Sequence, residues 1–169
     1  ELGSRFGRRI ACELTGMDVA NASLYDGSTA AAEAAFMTAR ITGRNRILVS
    51  RGLHPEYRQV LETYTRYSNL QIETAELDAQ TGTTSLEELQ KLLDKEEEPA
   101  AMILQSPNFF GCLEDVTQIA SRVHEKKAML GVAVTEPLSL ALVQPPAGCG
   151  ADIVFGEGQS FGVPLSYGG

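Results

Sequence analysis

ADIVFGEGQSFGVPLSYGG, residues Ala151–Gly169, reads as a short apolar strand followed by a glycine-rich polar loop. Ala151–Phe155 has the length and composition of a buried strand, and Gly156-Glu157-Gly158-Gln159-Ser160 leaves its carboxyl end. In open α/β sheets, ligands bind just beyond the carboxyl ends of the strands. This loop is therefore the first place to look for a site. No lysine, histidine or cysteine lies between Ala151 and Gly169, which limits the chemistry it can do.

Working back from that strand, the same unit recurs. Ala128–Val134, Pro99–Gln105 (PAAMILQ), Leu70–Leu77 and Arg46–Ser50 (RILVS) are further strand-like runs, PAAMILQ continuously apolar as a fully buried parallel strand is. Helical patterns separate them. Asp115–Lys126 turns Val116, Ile119, Ala120 and Val123 inward. Ser85-Leu86-Glu87-Glu88 has the spacing of a capping box and opens a helix to about Lys95. Pro55 suits the first turn of a helix over Glu56–Tyr67. Ala30–Ile41 is alanine-rich and stops at Gly43, and residues 1–15 carry Phe6, Ile10 and Leu14 on one face. Strands alternating with helices predict a parallel sheet covered on both faces, with right-handed crossovers. The expected fold class is α/β, a three-layer sandwich, in one domain over residues 1–169.

Composition narrows the function. A length of 169 residues with 43% hydrophobic and 21% charged content fits one soluble core. The net charge of −8 is opposite to that of a nucleic-acid binder. No apolar run reaches the roughly 20 residues of a membrane helix. Cys12, Cys112 and Cys149 are isolated and odd in number, so reduced thiols in a cytoplasmic setting are expected, without a zinc site.

On a parallel sheet, the loops Arg51–His54, Ser106–Gly111, Thr135–Glu136 and Gly156–Ser160 gather on one rim, bringing Arg51, His54, Asn108, Glu136, Gln159 and Ser160 together. These residues make a polar pocket without a nucleophile–base pair. Gly27-Ser28-Thr29, before the alanine-rich helix, offers backbone N–H groups and hydroxyls to an anion. Alternatively, Asp26, Ser28 or Thr29 caps the helix. GxGxxG, Walker and GxSxG motifs are absent. The four lysines, Lys91, Lys95, Lys126 and Lys127, sit at helix ends that precede strands, which is the opposite rim. An enzyme that holds its cofactor as a Schiff base needs an amine beside the ligand.

Four stretches together resemble one family. LTGMDVANASLYDGSTAAAEA (Leu14–Ala34), HPEYRQVLETY (His54–Tyr64), QSPNFFGCLED (Gln105–Asp115) and GADIVFGEGQSFGVPLSYGG (Gly150–Gly169) are similar to the alpha subunit, subunit 1, of the glycine-cleavage P-protein, glycine dehydrogenase (decarboxylating). The resemblance implies the large domain of a fold-type-I pyridoxal-phosphate enzyme, in the aspartate-aminotransferase superfamily. It implies a heterotetrameric, cytoplasmic enzyme whose beta subunit carries pyridoxal phosphate, decarboxylates glycine and passes an aminomethyl group to the lipoyl H-protein. The beta chain has His-Lys-Thr-Phe where this chain has Gly158-Gln159-Ser160-Phe161, so Gln159 stands in place of the lysine. Gly27, Ser28 and Thr29 match the phosphate loop, and with His54, Asn108, Gln159 and Ser160 they are the expected cofactor-binding set of an altered, non-covalent pocket; no catalytic residue and no metal ligand is expected. The superfamily's seven-stranded sheet leads us to expect that these residues are a truncated large domain, prone to self-association. A stand-alone α/β ligand-binding module is the alternative, supported only by the alternation of strand and helix.

Overall fold

The computed structural model describes residues 2–21 and 24–162, and the side chains from Gly7 onward. Val163–Gly169, the tail of the opening stretch, and the side chain of Phe6 lie outside the described residues. The strands are β1 (Arg46–Ser50), β2 (Gln71–Ala75), β3 (Ala101–Gln105), β4 (Met129–Val134) and β5 (Ile153–Gly156). They form one five-stranded sheet in the order β2-β1-β3-β4-β5, with every neighbouring pair parallel. The helices are α1 (Leu2–Thr15), α2 (Gly27–Thr42), α3 (Pro55–Thr65), α4 (Leu86–Leu93) and α5 (Val116–Glu125).

The expected three-layer α/β sandwich is what forms. β1 and β3 are buried at every position because helices cover both faces. On one face, Ala31, Ala32 and Ala35 of α2 join Leu61 and Tyr57 of α3 against Ile47, Val49, Ile103 and Ala133. Alanines at those helix positions let α2 lie close to the sheet. On the other face, Leu89 and Leu93 of α4 and Ile119 and Val123 of α5 pack on Leu48, Met102, Leu104 and Leu130.

Element ends differ from the sequence reading in instructive ways. α2 begins three residues earlier than expected, at Gly27, because Asp26 caps it: the Asp26 carboxylate accepts the Thr29 N–H at 2.7 Å, and the Thr29 hydroxyl answers the Asp26 N–H. β5 begins at Ile153 rather than Ala151. Ser85 caps α4 through the Glu88 N–H, but Glu88 binds Lys91 instead of closing the box. Ile10 of α1 stays 38% exposed, so the apolar face of that helix is not part of the core. Among the described residues no helix is long and apolar enough to cross a membrane.

Candidate functional site

The strand order reverses direction between β1 and β3, the point where open α/β sheets hold ligands. Here the crevice is closed by the chain itself. Phe109 donates its N–H to the Gly52 carbonyl at 2.8 Å, tying the loop after β3 onto the loop after β1. Asn108 is 3% exposed and bonds both within its own loop and to the loop between β2 and α4. Its Nδ2 donates to the Gly82 carbonyl and to Glu114 Oε1, and its Oδ1 accepts the N–H groups of Phe110 and Cys112. Glu114, itself buried, accepts the Thr84 N–H with its other oxygen. Gln105 then stitches three loops together: its Oε1 accepts the His54 N–H, and its Nε2 donates to the Pro107 carbonyl and the Thr135 hydroxyl.

His54 caps α3, its Nδ1 accepting the Glu56 N–H at 3.2 Å. Its ring meets Phe109 edge-on, with centroids 5.0 Å apart, and Phe109 meets Phe110 in the same way. The two phenylalanines pack on each other and on His54 while remaining 47% and 61% exposed. On the other side of His54 stands Tyr57, with ring centroids 5.7 Å apart.

Tyr57 leads to the amino terminus of α2. Its hydroxyl donates to Glu157 Oε1 at 2.9 Å, and the same oxygen accepts the Gly27 N–H at 2.6 Å. Glu157 is thus linked to residues 130 positions away in the chain. Burial first, and then the Glu157 carboxylate, hold the Tyr57 hydroxyl far above the ordinary tyrosine range. A Cβ at Gly27 would run into the Tyr57 hydroxyl and the Glu157 carboxylate, so a larger residue here requires both side chains to move.

The residues that follow Glu157 turn away toward β4. Gln159–Phe161 forms a 3-10 turn, and Ser160 donates its hydroxyl to Glu136 Oε2 at 2.9 Å. Glu136 uses its other oxygen on the Leu138 N–H. Arg51 lies at the margin and pairs with Glu76 on the surface, at 2.7 Å. The structure therefore brings Gly27 and His54 together through Tyr57 and Glu157, and His54 and Asn108 together through Phe109. Sequence reasoning did not single out Tyr57, Glu157, Gln105 or Glu114. Tyr57 reads as one apolar residue of a helix face, and Glu157 as a loop charge beside Gln159.

The lysines stand elsewhere. Lys91 pairs with Glu87 and Glu88, Lys95 with Glu73, and Lys126 with Asp94, on helices α4 and α5 or just after them. Lys127 lies in the turn leading into β4, at that strand's amino end. Among the described residues the rim offers carboxylate, amide, hydroxyl, imidazole and guanidinium groups, and no lysine.

The five-stranded parallel sheet, with a polar rim fed by the loops after β1, β3, β4 and β5, shares its fold with the fold-type-I pyridoxal-phosphate enzymes. A cysteine desulfurase from Thermococcus onnurineus superposes on 89% of this chain, 37% of its own, with a TM-score of 0.66 at 16% identity. The crystal structure of a glycine decarboxylase, the P-protein of the glycine cleavage system, in inhibitor-bound form, superposes on 99% of this chain and 36% of that one. Its TM-score is 0.88 at 40% identity.

The chain belongs to the glycine cleavage system P-protein family, whose profile matches residues 7–169. A relative from Koribacter versatilis, named "Probable glycine dehydrogenase (decarboxylating) subunit 1", is 51% identical over 160 residues. That match takes in 95% of this chain and 35% of the relative, so the chain spans about a third of the relative's length.

Proposed function

We propose that this chain belongs to a subunit 1 of glycine dehydrogenase (decarboxylating) that supports the reaction without holding the cofactor covalently. On this reading a partner subunit carries pyridoxal phosphate, which supplies an electron sink for glycine decarboxylation. The aminomethyl group then passes to a lipoyl-bearing H-protein. The observation that carries the reading is the position of Gln159. It follows β5 directly, where attachment needs an amine, and a carboxamide is not a nucleophile toward an aldehyde. The donor set therefore does not fit a covalently held cofactor, and no chemical step is assigned to it on this chain.

The residues around Gln159 fit a pocket kept in outline. Gly27, Ser28 and Thr29 still open a helix at its edge, and Ser160 still faces Glu136. His54 and Asn108 serve as packing and loop anchors rather than as acid or base.

Co-expression tests the proposal. A full-length subunit 1 carrying this chain, purified with its partner subunit, is expected to catalyse glycine–bicarbonate exchange in the presence of H-protein. Each subunit assayed alone is expected to show none. Exchange at the full rate by the partner alone would contradict a supporting role.

A further inference from the structure

We propose that Glu157 is a built-in anion: its carboxylate occupies the amino-terminal cradle of α2 and excludes phosphate-bearing ligands from it. The inference deepens the reading above and rests on it, because it says what fills the place a cofactor phosphate would need. A helix amino terminus leaves its first four N–H groups without intrahelical partners, and those groups attract anions. In α2 the chain's own oxygens hold those of Asp26, Gly27 and Thr29. Gly27 donates to Glu157 Oε1 at 2.6 Å. Thr29 donates to the Asp26 carboxylate at 2.7 Å, Asp26 donates to the Thr29 hydroxyl at 3.3 Å, and Ala30 starts the helical ladder on the Asp26 carbonyl at 3.1 Å. The two hydroxyls that could assist a phosphate are also taken, Ser28 by Asp26 Oδ1 at 2.7 Å and Thr29 by the Asp26 carbonyl at 3.0 Å.

Glu157 is the external member of this set. Asp26 is the helix cap itself, as a helix with DGST at its start would have anywhere. Glu157 comes from the end of β5, held there by its own N–H on the Val134 carbonyl at 3.2 Å. Its oxygen reaches both the helix and Tyr57, which is only 6% exposed. Two donors from two helices, the Gly27 N–H of α2 and the Tyr57 hydroxyl of α3, therefore converge on one carboxylate oxygen. A phosphate oxygen gains the Gly27 N–H and the Tyr57 hydroxyl only by displacing that charged acceptor, which holds both donors more strongly than a neutral carbonyl would. A phosphate alongside would also face two carboxylates of its own sign.

The test uses inorganic phosphate, which binds without forming any bond to an amine. It therefore reports on the cradle and not on covalent attachment. The amide signals of Gly27 and Thr29 are followed by NMR in the native chain and in Glu157→Gln and Glu157→Ala while phosphate is added at constant ionic strength. The native chain is expected to show no saturable shift at these amides. The variants are expected to bind phosphate at least about tenfold more tightly, the factor for removing one full charge from a helix terminus in a partly buried site. Glu157→Gln keeps a carbonyl acceptor for both donors, so it decides the matter if Glu157→Ala does not fold. Saturable binding at Gly27 in the native chain, or no gain in a folded variant, overturns the proposal.

Discussion

Arg46→Ala is expected to lower the unfolding free energy by about 3–5 kcal/mol, the usual cost of removing one partner of a buried charged pair. Arg46 opens β1, yet its side chain is only 1% exposed. It is tolerated there because four of its five N–H groups find acceptors. Nε and Nη2 donate to the two oxygens of Glu73 at 3.0 and 3.1 Å, and Nη1 and Nη2 donate to the carbonyls of Glu97 and Leu92 at 2.6 Å each. Truncation leaves two carbonyls unpaired and a cavity under α4. Lys95, the other partner of Glu73, is half exposed, and Lys95→Ala is expected to cost less than about 1 kcal/mol. Urea unfolding of both variants gives the comparison.

The same network sets an acid limb. Hydrogen bonds from Arg46, helped by Lys95, hold the Glu73 carboxyl below its ordinary range. A depressed carboxyl stabilises the fold above its unfolded pKa, and that stability is lost as the pH falls through its lowered folded value. In Arg46→Ala this acid-dependent loss is expected to shrink, because the main cause of the shift is gone.

Gly156→Ala is the second large effect. The β4–β5 register puts Gly156 beside Val134, and a Cβ at Gly156 would stand 1.9 Å from the Val134 carbonyl oxygen and 2.6 Å from its carbon. The obstacle is backbone, so no side chain can rotate out of the way. Overpacking typically costs 1–3 kcal/mol, and a backbone clash in a strand pair belongs at or above the upper end, about 3 kcal/mol. The strands must part, and Glu157 leaves the amino terminus of α2 with them. Hydrogen exchange at the β5 amides should accelerate, and the Gly27 amide should lose its protection. Gly158→Ala is the control, with no heavy atom within 4 Å of the added Cβ and a change expected within about 0.5 kcal/mol. Equal stability of Gly156→Ala and the native chain would contradict the register.

The layers were legible in the residues because each carries a local signal. Apolar runs such as PAAMILQ can only be buried strands, and the leucine and valine spacing of α4 and α5 has a helical period. The lysines could be assigned to one rim from order alone, since helix ends that precede parallel strands all lie at the strands' amino ends. The start of α2 was misplaced because Gly27 looks like turn residue rather than helix, and only the Asp26–Thr29 cap shows otherwise. Arg46 gave no hint of burial, because its partners lie 27 to 51 residues away and two of them are backbone carbonyls. The Gly27–Glu157 bond is further still from any local pattern. A loop glutamate and a loop glycine become a pair only when β5 is laid on the sheet edge beside α2.

The claim on which the account depends is that this chain offers no amine to the cofactor. Reduction with borohydride after incubation with pyridoxal phosphate and the partner subunit, followed by peptide mapping, tests it most directly. The stoichiometric pyridoxyl group is expected on a lysine of the partner and on none of Lys91, Lys95, Lys126 or Lys127. One full equivalent trapped on any single one of those four would contradict it.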